Sequence, residues 1–125
     1  GTKATAIRNL VIGGTTYDVA FPTAEPSVFY GAFPGTFTFT TDTDANVARD
    51  AVNSALTSAT ATSIGLAGED ERTLYRIGYN SAETSGGIQS CSFVSGKAGS
   101  PWDAGISDKT LYNTDPVTWA IFEEK

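Results

Sequence analysis

The acidic and amide side chains between Asp42 and Asn46 are the residues with the clearest potential for metal chemistry. Asp42, Asp44 and Asn46 occupy alternate positions, and oxygen ligands spaced in this way can converge on a hard cation such as calcium. A calcium loop of the EF-hand type continues with Gly and, six residues later, a bidentate Glu. This chain has Val47 and Asn53 at those positions. Two interpretations follow, a metal site or acidic residues that cap the start of a helix.

Nucleophilic and acid–base catalysis lack most of the residues that they need. The sequence contains no His, so the Ser-His and Cys-His pairs that activate a nucleophile near neutral pH cannot form. Two carboxylates can still hydrolyse a glycosidic bond. Because most of the available acidic residues fall in polar loops, we expect a solvated acidic surface and no enzyme. The acidic residues considered are Glu69, Asp70, Glu71, Glu83, Asp103 and Asp108.

Four aromatic residues in predicted loops are candidates for ligand binding. They are Tyr30, Phe33, Trp102 and Tyr112. An exposed ring can stack on a sugar face or anchor a protein partner. The alternative is that these rings fill the open ends of the core, since a domain of this size needs its large side chains for burial.

The single cysteine, Cys91, lies in an alternating apolar run from Ile88 to Phe93. One cysteine cannot form an internal disulfide. Because free cysteine is among the most buried residue types, the sequence favours a buried thiol over a reactive or intermolecular one.

Length, charge and hydropathy limit the possible partners. A chain of 125 residues suits a single domain, residues 1–125, with a core of its own. The net charge of −6, with 8 Lys and Arg that do not cluster, argues against nucleic acid and anionic membranes. No apolar run approaches the roughly 20 residues that span a bilayer. We therefore expect no nucleic-acid partner, no membrane insertion and no cofactor, and the absence of an initiator Met predicts a processed or trimmed chain.

A helix predicted over residues 44–59 must position the acidic segment. Its apolar residues recur in pairs at a four-residue step, which is one face of an α-helix. Asp42, Thr43 and Asp44 are expected to cap its first turn. The narrow stripe consists of Val47, Ala48, Ala51, Val52, Ala55, Leu56 and Ala59, and the face expected in water carries Asn46, Arg49, Asp50, Asn53, Ser54 and Thr57.

The remaining segments are predicted to supply a sheet for this helix. Two β-favouring runs flank Gly13 and Gly14, which indicates a hairpin. Its register stays open, because the loop can be either residues 13–15 or two residues long. Residues 22–35 are predicted to form a loop and residues 80–87 a turn. Further strands are predicted at residues 37–40, 63–66, 73–79, 88–94, 109–113 and 117–122. The fold class expected is α+β, an antiparallel β-sheet of about five to seven strands with one amphipathic helix packed on one face.

The order of these segments carries a resemblance to a known family. A run from Ile7 to Leu10 is followed by a run from Gly14 to Phe21, which is similar to an N-G-x-x-Y-x-V-x-F hairpin but has Gly13 at the Asn position. Three segments follow in order: Val28-Phe29 at the position of the family's aromatic segment, the helix over residues 44–59, and a closing aromatic strand over residues 119–122. This order resembles that of exported bacterial proteins of the PEP-CTERM sorting-domain type. Their Pro-Glu-Pro tail is not present in these 125 residues.

The resemblance implies a non-enzymatic structural or adhesion module, exported to the surface of a Gram-negative bacterium and associated with the exopolysaccharide matrix. Its expected partners are a polysaccharide or another surface protein. The alternative is a small carbohydrate-binding domain that uses the loop aromatics. A third hypothesis is a glycan hydrolase that depends on two carboxylates.

Overall fold

The computed structural model describes residues 2–30, 37–84, 88–111 and 116–125. They form a mixed α+β fold with one main helix. In chain order the elements are β1 (Lys3–Ala4), β2 (Ala6–Ile12), β3 (Thr15–Ala20), β4 (Thr23–Ala24), α1 (Pro26–Tyr30), α2 (Asp42–Ser58), β5 (Ser63–Ile64), β6 (Leu74–Thr84), β7 (Ile88–Lys97), β8 (Asp103–Ala104), β9 (Asp108–Leu111), β10 (Val117–Thr118) and β11 (Ile121–Glu124). Within the described ranges, no helix has the length and apolar character needed to cross a membrane.

The described strands form four small sheets, where the sequence predicts one larger sheet. The first has the order β11-β3-β2, and the second has the order β6-β7-β8 with β9 also paired to β7. Two short pairs, β4 with β10 and β1 with β5, complete the set. Pairing between these strands is antiparallel except for β1 with β5.

The division into separate sheets follows from the path of the chain between β10 and β11. Trp119 donates its backbone N–H to the carbonyl oxygen of Pro22, while Ala120 donates to the carbonyl oxygen of Arg76 on β6. Pro22 has no N–H to return, so the ladder between the two ends of the chain is interrupted here. The interruption lets residues 119–120 contact the second sheet. The sequence, in contrast, predicts one continuous strand over residues 117–122.

The hairpin of β2 and β3 has a two-residue loop. Gly13 and Gly14 have φ angles of 57° and 83°, which a tight turn of the type I′ kind requires and which glycine adopts without strain. Ile12 therefore pairs with Thr15, and Leu10 pairs with Tyr17. This geometry decides the register that the sequence leaves open.

Helix α2 begins at Asp42, two residues earlier than predicted. The N-cap is Thr41, whose Oγ1 accepts from the backbone N–H of Asp44 at 3.1 Å. Asp42 and Asp44 lie inside the first turn, so the predicted capping role of these two carboxylates is wrong. The hydroxyl of a residue with extended backbone just before the helix can reach the unpaired N–H groups of the first turn, which side chains inside that turn reach less well. The negative charges still suit the positive end of the helix dipole.

Helix α2 packs against both larger sheets, since it contacts β2 on one side and β6, β7 and β8 on the other. Its buried apolar residues are Ala45, Ala48, Val52 and Leu56, and the Ala side chains allow a close approach of the helix backbone. Val47, which the sequence assigns to the apolar stripe, is 52% exposed. The buried face is therefore rotated relative to the prediction and includes Asn53.

Three other predicted segments differ from the structure. Residues 37–40 are not a strand, because Phe37 and Phe39 pack into two different apolar clusters and the alternation reflects their burial. Part of the predicted loop over residues 22–35 forms α1. The predicted turn over residues 80–87 is extended up to Thr84, because β6 and β7 form a longer antiparallel ribbon.

A cluster of polar groups around Asp18 fixes the irregular part of the hairpin. Asn9 has a φ angle of 57° and lies in a β-bulge between Ile7 and Leu10. The Asp18 carboxylate accepts from the Asn9 backbone N–H at 3.1 Å and lies 3.2 Å from Arg8 Nη1 and 3.5 Å from Lys125 Nζ. The Asn9 hydrogen bond, followed by the contributions of Arg8 and Lys125, lowers the pKa of the Asp18 carboxyl below its usual range. One side chain thus joins the bulge to the C-terminal residue.

The packing of α2 predicts different effects for two apolar substitutions on the same helix. Leu56 is 1% exposed, and Leu56→Ala should lower the free energy of unfolding by about 2–5 kcal/mol, because it removes buried methyl groups and leaves a cavity. Val47→Ala on the exposed face should change it by no more than about 0.5 kcal/mol. Urea denaturation followed by circular dichroism measures both values. Equal effects of the two changes would contradict the orientation of the helix.

The lowered pKa of Asp18 predicts a loss of stability in acid. A carboxyl whose pKa is lower in the folded state stabilises the fold above its unfolded pKa, about 3.9, and this contribution disappears as the pH falls through the lower folded value. Asp18→Asn should therefore be less stable than the wild type at pH 6, and the difference should shrink toward pH 2.5 in urea denaturation. Glu71→Gln, at an exposed carboxylate, is the control. A difference independent of pH would contradict the assignment.

Candidate functional site

Trp102, one of the predicted ligand-binding aromatics, is buried against α2 at 4% exposure. Its backbone N–H donates to Thr57 Oγ1 at 3.0 Å, and its indole Nε1–H donates to the carbonyl oxygen of Ala61 at 2.7 Å. The ring lies 6.3 Å from that of Tyr75. Trp102 therefore anchors the segment before β8 to the end of α2, and its ring faces are not available to stack on a sugar.

Tyr30 also belongs to the interior, in a second apolar cluster with Cys91, Phe93 and Trp119. Its hydroxyl accepts from the backbone N–H of Gly78 at 3.2 Å, and its ring contacts Trp119 edge to face at 5.4 Å. The position is the end of helix α1, where the sequence predicts a loop. The other two predicted aromatics, Phe33 and Tyr112, lie outside the described residues.

The predicted metal ligands do not converge. Asp42 and Asp44 are exposed and lie in the first turn of α2, where residues two positions apart point to different sides of a helix. Asn46 is half-buried on the same helix. Over the described parts of the chain, no group of three His, Cys, Asp or Glu side chains is close enough to hold a metal ion.

The acidic residues considered for hydrolysis are dispersed. Glu69, Asp70 and Glu71 are exposed in the loop before β6, where Asp70 lies 4.0 Å from Arg72. Asp103 is exposed at the start of β8. Glu83 and Asp108 lie in β6 and β9, and their side chains are outside the described set.

Cys91 is fully buried in β7, as the sequence predicts. Burial raises the pKa of its thiol to about 12, so the reactive thiolate is scarce at neutral pH. Gly78 on the neighbouring strand β6 lies close to this thiol, and an added Cβ there would meet both the Cys91 sulfur and the Tyr30 ring. The thiol is therefore part of the packing between β6, β7 and α1.

One concave surface that involves polar side chains is a groove between α2 and the segment of residues 101–103. We call it the α2 groove. Its volume is about 420 Å³, and it is open to solvent along one side. It is lined by Asp50, Asn53, Ser54, Thr57, Ser58, Pro101, Trp102 and Asp103.

The spacing of residues on α2 produces the polar wall of this groove. Asp50, Ser54 and Ser58 follow one another at four-residue steps, as do Asn53 and Thr57. Side chains with this spacing lie above one another on one helix face. The first row is exposed, and the second lies at the margin of the buried face. Hydroxyl, amide and carboxylate groups therefore form a continuous polar surface.

Asn53 is the most buried polar group in the α2 groove, at 6% exposure. Its Oδ1 lies 2.7 Å from the hydroxyl of Tyr75, which donates to it, and that hydroxyl is also 3.1 Å from the carbonyl oxygen of Arg49. Burial raises the pKa of the Tyr75 phenol, so the donor proton is retained at every ordinary pH. The Tyr75 ring crosses Gly96, where an added Cβ would overlap it.

The second amide atom of Asn53 is available to a ligand. Among the described residues, its Nδ2 has no hydrogen-bond partner, and it is not sealed in the interior. Because Oδ1 is held by Tyr75 and Asn53 lines the groove, Nδ2 is the donor turned toward it. Its position is fixed by a hydrogen bond inside the core.

The two carboxylates of the α2 groove are also held by one oxygen each. Asp50 Oδ1 accepts from Arg49 Nε at 3.2 Å and from Arg49 Nη2 at 3.1 Å. Asp103 Oδ1 accepts from the backbone N–H of Ala104 at 2.7 Å. Within the described residues, the second oxygen of each carboxylate has no such partner. The groove therefore presents acceptors whose side chains are already ordered.

A second groove lies beyond Thr57 and includes several hydroxyl groups in its lining. It has a volume of about 540 Å³ and is lined by Thr57, Thr60, Ala61, Thr62, Ala98, Gly99 and Ser100. Thr57 lines both grooves, Pro101 lines the first, and residues 98–100 line the second. Hydroxyl groups thus extend along the C-terminal half of α2 and beyond its end.

Sequence reasoning missed this site because it assigned Asn53 to the water-facing side of the helix. The available signal was the row formed by Arg49, Asn53 and Thr57, which borders the apolar stripe at four-residue steps. A polar residue at such a margin can turn toward either side. The choice depends on Tyr75, which approaches from a strand more than twenty positions away in the chain.

Comparison of the chain with protein-family models, with curated proteins and with solved structures found no match. The chemistry of the site therefore has to be inferred from its own side chains. They offer amide, hydroxyl and carboxylate groups for hydrogen bonding. Among the described residues, no Ser or Thr hydroxyl in the lining of the groove is hydrogen-bonded to a carboxylate.

Proposed function

We propose that the protein is a non-enzymatic module, exported to the cell surface, with a structural or adhesive role in the exopolysaccharide matrix. The resemblance of its segment order to PEP-CTERM proteins supports export. The observation that carries the non-enzymatic part is that the groups best suited to chemistry are used in folding. Tyr75 is bonded to α2, Cys91 is buried in β7 and Trp102 anchors a loop.

The position of the groove carboxylates supports binding over turnover. The Asp50 side chain is 70% exposed, and Asp103 is exposed as well. A general acid in glycoside hydrolysis is a carboxyl group that an apolar environment keeps protonated. Neither carboxylate has such surroundings. The hydrolase hypothesis is therefore the least supported of the three.

A carbohydrate-binding domain is the second candidate, and the α2 groove favours it. Trp102 and Tyr30 are both buried, so stacking on these two loop aromatics does not supply the affinity. Polar groups on α2 offer a different contact with the hydroxyls of a glycan. Matrix association and glycan binding are compatible, because a matrix module needs a surface that contacts polysaccharide.

Export to the surface is tested by labelling whole cells of the source bacterium. An antibody raised against this domain should label intact, unpermeabilised cells and their extracellular matrix. An antibody against a cytoplasmic enzyme serves as the control for cell integrity and should label only after permeabilisation. If the domain, too, is detected only after permeabilisation, the proposed location is wrong.

A further inference from the structure

The buried amide of Asn53 distinguishes the α2 groove from an ordinary polar surface. Asn53 is more than nine-tenths buried, yet its Nδ2 keeps contact with solvent. Its Nδ2 faces the groove while its Oδ1 is fixed by Tyr75. A ligand acceptor placed in the groove would complete the hydrogen bonding of this side chain.

We propose that the α2 groove binds a neutral polysaccharide segment, with Asn53 donating to a sugar oxygen and Asp50 and Asp103 accepting from sugar hydroxyls. This inference rests on the proposed role at a polysaccharide matrix and names the class of glycan. Both carboxylates have one oxygen held by a protein donor. Ordered acceptors lose little conformational entropy when a ligand binds.

Charge selects a neutral chain over an acidic one. The protein carries a net charge of −6, and the groove itself contains two carboxylates. The one cation beside it, among the described lining and its hydrogen-bond partners, is Arg49, which is 14% exposed and is already paired with Asp50. A uronate or sulfate group would meet like charges at close range. Neutral hydroxyls instead donate to the carboxylates without an electrostatic penalty.

The residues that line the groove also favour a glycan over a protein as the ligand. Interfaces between proteins have apolar, often aromatic centres. Here the exposed lining residues are Asp50, Ser54, Ser58, Pro101 and Asp103, while Trp102 is 4% exposed. The many hydroxyl donors and acceptors of a glycan can form hydrogen bonds with these polar side chains. Since hydroxyls continue past Thr57 into the second groove, a chain of several sugar units should bind better than one unit.

Isothermal titration calorimetry of the purified protein tests this proposal with cellohexaose and mannohexaose as neutral probes. At least one should bind, more tightly than its monosaccharide, and a hexamer of polygalacturonate should bind at least about tenfold more weakly. Asp50→Ala combined with Asp103→Ala should weaken binding of the neutral probe by about tenfold or more, which corresponds to about 1.4 kcal/mol. Both positions are exposed, so the fold should persist, as circular dichroism can verify.

The matched control is Asp70→Ala combined with Glu71→Ala, which removes two exposed carboxylates from a different loop and changes the net charge equally. This variant should bind the neutral probe like the wild type. Failure of both neutral probes, tighter binding of polygalacturonate, or equal losses in the two double variants would overturn the proposal. These results do not affect the labelling of whole cells, so failure of the glycan site and failure of the surface location are distinguishable.

Discussion

The hydrogen bond from Tyr75 to Asn53 joins the fold to the candidate site. The Tyr75 side chain is fully buried, and its hydroxyl would lose the hydrogen bonds of water without a partner on the helix. The acceptors on the helix are Asn53 Oδ1 and the Arg49 carbonyl oxygen, and the Tyr75 hydroxyl lies within hydrogen-bond distance of both. This contact fixes the rotation of α2 on the ribbon of β6 and β7. The same rotation turns Val47 outward and brings Asn53 to the margin of the groove. Gly96 allows it, because only a residue without a Cβ leaves room for the crossing ring.

Helix α2 also explains how several small sheets form one fold. A two-stranded sheet is at best marginally stable by itself, and a larger one needs a buried apolar face or a helix packed on it. The buried face of α2 contacts both larger sheets, and Phe21 after β3 meets the Tyr75 ring of β6 at 5.8 Å. On the opposite side, Ala120 is bonded to Arg76. The core therefore lies between the sheets, under the helix. A polar groove can then form on the helix surface without exposing that core.

Local patterns in the sequence predict the elements that depend on near neighbours. The glycine pair predicts the first hairpin, the four-residue step predicts α2, and alternation predicts much of β6 and β7. The errors occur where distant residues decide. The single predicted sheet is divided where Trp119 and Ala120 turn to different partners, whereas the hairpin register, which the sequence leaves open, depends on both loop glycines having positive φ. Trp102 is predicted in a loop, and the structure agrees, but its indole is buried because Ala61 offers an acceptor. Asn53 is buried because Tyr75, distant in the sequence, contacts it. The pattern of apolar residues in the helix does not predict this contact.

A double-mutant cycle on Tyr75 and Asn53 tests most directly whether one hydrogen bond sets the position of α2. The free energies of unfolding of the wild type, Tyr75→Phe, Asn53→Ala and the double variant are measured by urea denaturation. The two changes should be coupled by about 1 kcal/mol, the contribution of a buried hydrogen bond between neighbouring side chains. Effects that add independently, with a coupling energy of about zero, would show that Tyr75 and Asn53 do not act together and would contradict this organisation of the fold and the groove.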